Sequence, residues 1–200
     1  MDRLCDEASR YGFCSVCVHP YWVRHCAARL QGCPVKVCTV VGFPLGETLS
    51  QVKAAETRAV CEAGADEIDM VVARSAVSRG DWDAVEADVR AVVQAAQGRV
   101  VKVILETAEL SNEQIRDASR ASVRGGADFV KTSTGFGSGG ATVEAVRLMR
   151  ETVGPKLGVK ASGGIRDASS ARAMVDAGAN RLGCSAGVAI VSGETSDGDY

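Results

Sequence analysis

A spacing limits most strongly what this chain can fold into. Lys102, Lys131 and Lys160 stand 29 residues apart, and each follows a valine in a short apolar run. A strand, a helix and their connections take about 30 residues, so each lysine marks a similar height in successive strand–helix units. Strand candidates recur along the whole sequence: "SVCV", "VKVCTVVG", "EIDMVV", "VVKVILE", "DFVKTS", "LGVKAS" and "NRLGCS". Between them lie the helix candidates "TLSQVKAAETRAVCEAG", "DWDAVEADVRAVVQAAQG", "SNEQIRDASRASVRGG", "ATVEAVRLMRETVG" and "DASSARAMVDAG", several closing on the Gly that a helix C-terminus favours.

Such alternation implies parallel strands joined by right-handed crossovers, as an open doubly wound sheet or as a barrel. Side chains alternate faces along a strand, which groups Asp69 with Glu67 and Val71, Lys131 with Phe129 and Ser133, and Lys160 with Gly158 and Ser162. Against the helix layer of an open sheet these charges would be buried unpaired; in a barrel they converge on one interior. The expectation is therefore an α/β barrel of the TIM (β/α)8 type, with seven strands countable, in a single domain over residues 1–200.

Composition excludes several classes of function. With 46% hydrophobic residues and a net charge of -2 mixed along its length, the chain has one sizeable core and no footprint for nucleic acid or anionic lipid. No apolar run approaches the roughly 20 residues of a membrane span, and "MDRLCDEASRYGF" is not a signal peptide, so a cytoplasmic protein is expected. Its eight cysteines are then expected to be reduced. Cys14, Cys17, His19, His25 and Cys26 crowd into "CSVCVHPYWVRHC", but they lack the compact His pair of a zinc site, and no metal is expected.

The glycine turns point to an anion. "GFGSGG" formally satisfies the dinucleotide fingerprint, yet the next strand, "GVKASGG", offers lysine and serine where the ribose hydroxyls need an acid. Phosphate fits better. Gly163, Gly164, Ile165 and Arg166, then Gly183, Ser185 and Gly187, follow the last two strands and are expected at helix starts, where barrels commonly hold phosphate.

Six stretches in order, "VVGFPLG", "GADEIDMVV", "VKVILETAEL", "GADFVKTSTGF", "GVKASGGIR" and "RLGCSAG", resemble the signature stretches of the deoxyribose-phosphate aldolase family. They span most of the chain, from about Ser15 to Ile190. The resemblance implies a cofactor-free and metal-free class I aldolase of the (β/α)8 type. Its substrates would be small phosphorylated sugars and aldehydes, with a homodimer as the candidate assembly. By motif position Lys131 is the Schiff-base lysine, Lys160 the second lysine and Asp69 the proton-relay acid, while Thr134 and Gly135 join the glycine turns as substrate-binding residues.

The chemistry agrees. An amine attacks a carbonyl only when neutral, whereas lysine ordinarily titrates near ~10.4; burial and a neighbouring cation lower that value. Lys160 on the next strand is the candidate cation, which makes Lys131 a plausible nucleophile. The chain also departs from the family. It lacks an "IDHTLL"-like first strand, Phe136 stands where some members have lysine, and Ala73 replaces a usual asparagine. Two alternatives stay open: a phosphate-binding barrel isomerase or synthase that forms no imine, and an inactive, truncated relative.

Overall fold

The computed structural model describes residues 1–193, so Tyr200 lies outside the described residues. Helix α1 (Asp2–Tyr11) precedes strand β1 (Ser15–Val18), α2 (Val23–Arg29), β2 (Lys36–Val41), α3 (Ser50–Glu62) and β3 (Glu67–Val71). Two helices, α4 (Arg74–Arg79) and α5 (Trp82–Ala96), lead to β4 (Val100–Ile104), followed by α6 (Asn112–Arg124) and β5 (Phe129–Lys131). The chain continues through α7 (Val143–Val153), β6 (Gly158–Ser162), α8 (Ala168–Asp176), β7 (Arg181–Gly183) and α9 (Gly187–Ser192). Every expected strand is present, a residue or two shorter than its apolar run in most cases. Short α2, α4 and α9 had no clear periodicity to announce them.

Among the described residues the strands form one parallel sheet in chain order, with β1 and β7 at its edges. The sheet is strongly curled. Neighbouring strands lie about 4.8 Å apart, so in a flat sheet β3 and β6 would be separated by about 14 Å. Yet the amine of Lys160 on β6 lies 2.6 Å from the carboxylate of Asp69 on β3. Arg181 on β7 likewise reaches Glu67 on β3, at 3.0 Å. Only barrel-type curvature brings those side chains together.

Alternation along the strands separates two interiors. Val16, Val18, Val37, Ile68, Met70, Val101, Val103, Val130 and Val159 face outward and are buried against the helices. The opposite faces carry Cys17, Cys38, Glu67, Asp69, Lys102, Phe129, Lys131 and Lys160 into the curl. At its N-terminal end Phe129 packs over Gly158, where a Cβ would lie 2.1 Å from the ring. Lys102 and Arg181 set their cations over the same ring, 5.9 and 5.5 Å from its centroid. This plug leaves the strands' C-terminal ends as the accessible side.

Candidate active site

Register fixes the heights of the charges. Asp69 pairs with Lys102 across β3 and β4, while Lys131 pairs with Lys160 across β5 and β6, one inward layer nearer the mouth. Asp69 is fully buried and serves as the hub. Its Oδ2 accepts from Lys131 Nζ at 2.7 Å and Lys160 Nζ at 2.6 Å. Its Oδ1 accepts from Lys102 Nζ at 2.9 Å and Cys38 Sγ at 3.1 Å. Lys102 also meets Glu67 at 2.7 Å, which ties the hub to the plug below.

Burial would raise the pKa of Asp69, but the charges of Lys131, Lys160 and Lys102 override it and hold the carboxyl well below its usual range. Burial would lower that of Lys160, but the carboxylate of Asp69, with Cys38 and Cys17 close by, holds it above its ordinary value. Lys160 therefore remains a cation at neutral pH. The structure thus brings together Asp69, Lys131 and Lys160, as expected, and adds Lys102 and Cys38. The 29-residue spacing holds the height of Lys131 and Lys160, but Lys102 lies in register with Phe129, two residues lower than expected; nothing in the pattern marked Cys38, a lone apolar-looking residue on a buried strand.

Thr134 and Gly135 open the turn above Lys131. Glu106, at the end of β4, holds this turn: it accepts from the Thr134 backbone N–H at 3.3 Å and from the Thr134 hydroxyl. The buried Glu106 adopts a left-handed backbone, φ 60°, uncommon for a residue with a side chain. Gly137 wraps the same carboxylate so closely that a Cβ there would lie 2.8 Å from Glu106 Cδ. Sequence reasoning missed this clip, although an acid at a strand's C-terminal end was a signal. Ser133, two residues beyond Lys131 and hence toward the mouth on the same face, is fully buried, and among the described residues its Oγ has no hydrogen-bond partner.

Gly163, Gly164, Ile165 and Arg166 form the turn ahead of α8, which begins at Ala168. The helix end itself is filled by a capping box in which Asp167 accepts from the Ser170 N–H at 2.7 Å. Gly163 and Gly164 both have left-handed backbones, φ 84° and 77°, and Gly164 and Arg166 are exposed. Gly183 lies in register with Ser162, and exposed Ser185 precedes α9, whose N-terminus has no side-chain cap. Among the described residues no side chain caps the start of α9, whose first residue is Gly187, whereas the α8 start is capped.

Three rings line the mouth. His19 follows β1, Phe43 follows β2 and Phe136 lies in the turn after β5; His19 meets Phe43 edge-on at 5.5 Å, and Phe43 meets Phe136 at 5.4 Å. A cavity of about 430 Å³ opens beside the site, lined by Leu45, Arg74, Leu105 and Glu106 among others. Neither Lys131 nor Lys160 lines it, so it flanks the charged hub. The candidate metal cluster is dispersed: His25 bonds Asp2 at 2.7 Å, and Cys26 is buried under α1. Among the described residues three potential ligand atoms do converge on Cys17, Cys38 and Asp69, but Asp69 already carries three ammonium partners.

A curled parallel sheet that gathers lysine amines and one carboxylate beneath glycine-rich loops is the plan of a barrel-type lyase acting on carbon–carbon bonds. Residues 1–193 match the description of the DeoC/LacD family aldolases, and the chain belongs to that family. A deoxyribose-phosphate aldolase of an Exiguobacterium species is 60% identical over 198 residues, covering 98% of this chain and 90% of its own. One from Streptococcus pneumoniae is 56% identical, covering 100% and 91%. Among solved structures, a putative deoxyribose-phosphate aldolase from Coccidioides immitis superposes with a TM-score of 0.93 at 44% identity, covering 96% of this chain and 77% of that one. The deoxyribose phosphate aldolase from Aeropyrum pernix gives 0.89 at 38%, covering 96% and 81%.

Proposed function

We propose that this chain is a deoxyribose-phosphate aldolase, cleaving 2-deoxy-D-ribose 5-phosphate reversibly to D-glyceraldehyde 3-phosphate and acetaldehyde through an imine on Lys131. The observation that carries the reading is the sharing of one buried carboxylate oxygen, Asp69 Oδ2, by the amines of Lys131 and Lys160. Lys160 keeps its proton, so Lys131 is the amine that attacks the substrate aldehyde. Loss of water gives an iminium whose positive nitrogen accepts the electron pair of the breaking C2–C3 bond. The proton leaving the 3-hydroxyl and the proton entering the enamine carbon pass through Asp69, with Lys160 or a water as its partner. Hydrolysis then frees acetaldehyde and Lys131.

Around this centre each expected binding residue has a role. Thr134 and Gly135, fixed by Glu106, form the wall above the imine. The phosphate lies on the turn Gly163, Gly164, Ile165 and Arg166 and on Gly183 and Ser185, beside the start of α9. The rings of His19, Phe43 and Phe136 limit water at the mouth. No observation favours an imine-free isomerase: its chemistry would leave the paired lysines without a task. The test is to incubate the chain with 2-deoxyribose 5-phosphate and measure both products. Equal release of glyceraldehyde 3-phosphate and acetaldehyde is expected; conversion of the sugar phosphate without carbon–carbon scission would overturn the reading.

A further inference from the structure

The mechanism leaves two thiols at the hub unused. Cys17 and Cys38 are register partners on β1 and β2, and both sit on the inward face of the curl. Adjacent strands place such Cα atoms about 4.8 Å apart, inside the separation of roughly 4.4–6.8 Å that a disulfide spans. The two Sγ atoms and an Asp69 oxygen lie within 4.8 Å of one another. Cys17 is exposed on an edge strand, whereas Cys38 is fully buried. An accessible thiol beside a shielded one is the arrangement in which the first is oxidised and the second resolves it.

The geometry points to Cys17 and Cys38 as an oxidative modification site, in which a small hydroperoxide converts the pair to a disulfide inside the aldolase hub. The Cys38 sulfur beside it lowers the pKa of the Cys17 thiol to about 6; the charge of Asp69 opposes this shift, and the ammoniums of Lys160 and Lys131 favour it. Cys38 is pushed the other way, by its bond to Cys17, by burial and by the charge of Asp69, and stays a thiol. In the first step the Cys17 thiolate attacks the peroxide, the O–O bond breaks, and the sulfur becomes a sulfenic acid as hydroxide or alkoxide leaves. Cys38 sulfur then attacks Cys17 sulfur; its proton goes to the departing hydroxide, giving water, and the S–S bond forms. The two thiols together lose two electrons and the peroxide gains two.

The consequence reaches Asp69. Cys38 donates its proton toward Asp69 Oδ1 at 3.1 Å and accepts from Lys102 at 3.5 Å. A disulfide sulfur carries no proton, so oxidation removes one of the four donors that hold the carboxylate. Under the aldolase reading the oxidised chain loses turnover and regains it on treatment with a dithiol.

The test is to treat the whole chain with hydrogen peroxide, alkylate the remaining thiols and map linked peptides. This readout is independent of aldolase activity. A disulfide joining tryptic peptides 11–24 and 37–53 is expected to appear first, with Cys14 in the former peptide still alkylated. It should be absent from Cys17→Ser, and its rate of formation at pH 7 should exceed at least tenfold that of a link between Cys5 and Cys26, a second pair of neighbouring thiols, both of them buried. In Cys38→Ser, Cys17 should proceed to sulfinic acid, a gain of two oxygens that dithiothreitol does not reverse. Should either variant fold poorly, the wild-type map and the order of linkage still decide. The inference is overturned if Cys17 and Cys38 both remain alkylatable, if Cys17 in the wild type gains oxygen while Cys38 stays free, or if Cys5–Cys26 links first. If the link forms but turnover is unchanged, the modification site stands and the role assigned to Asp69 fails.

Discussion

Replacing Asp69 by Asn keeps the shape of the hub and removes its charge. The carboxylate accepts from four donors in a fully buried position. An amide supplies one acceptor atom and turns a donor toward either the Lys131 and Lys160 side or the Lys102 and Cys38 side. Lys102 retains Glu67, but among the described residues Lys131 and Lys160 have no second carboxylate. A buried ammonium left in that state discharges at pH 7 at a cost of about 4.6 kcal/mol, being about 3.4 pH units at 1.36 kcal/mol each. That agrees with the ~3–5 kcal/mol lost when one partner of a buried ion pair is removed. Urea unfolding at pH 7 should show this loss, with a fall in Tm of about 6–20 °C. Turnover should drop about 10²-fold or more.

The sign of the pH dependence follows. In the variant a lysine without its partner has a folded pKa below its unfolded one. Its penalty is therefore full at low pH and fades as pH rises toward the unfolded value. The stability gap to wild type should narrow between pH 7 and 9.5, by up to ~3.4 kcal/mol. A gap under ~1 kcal/mol that does not change with pH would refute the assignment of Asp69 as the counter-charge of the lysine pair.

Ser133→Ala should raise stability by about 1–3 kcal/mol, because it deletes a buried hydroxyl with no partner. The same variant should raise KM for the sugar phosphate several-fold if that hydroxyl awaits a substrate oxygen; unchanged kinetics would make it a packing defect. Among the described residues beyond its chain neighbours, a methyl on Gly164 meets no atom within 4 Å, although φ 77° strains any side chain there. Gly164→Ala should raise KM for 2-deoxyribose 5-phosphate about tenfold, the worth of one hydrogen bond to a charged group, and spare cleavage of unphosphorylated deoxyribose. Equal losses on both substrates, measured by steady-state kinetics, would signify misfolding.

The strands were legible because each β-branched run is bounded by glycine or polar turns; the lysine spacing gave the relative height of β5 and β6 but misplaced Lys102, which sits one inward layer lower. Curvature was legible only through chemistry: inward charges on several strands need one another. The partners of Asp69 were half visible. Lys131 and Lys160 stood out as charges in apolar runs, whereas Cys38 looks like any small core residue and is tied to the hub by a diagonal contact that no linear pattern encodes. The start of α8 was legible from the capping aspartate that opens "DASSARAMVDAG". The Glu106 clip depends on a side chain folding back under a loop 28 residues later, and its left-handed backbone has no sequence signature.

The central claim is that Lys131, rather than its neighbours, carries the substrate. Incubating the chain with acetaldehyde and sodium borohydride traps any imine as an ethyl group on nitrogen, and peptide mapping locates the added mass. The account predicts modification of Lys131, with Lys160 and Lys102 unmodified because the surrounding charges hold both protonated above the ordinary lysine value. An ethyl group on Lys160 or Lys102, or no trapped adduct under conditions where the aldol is cleaved, would contradict it.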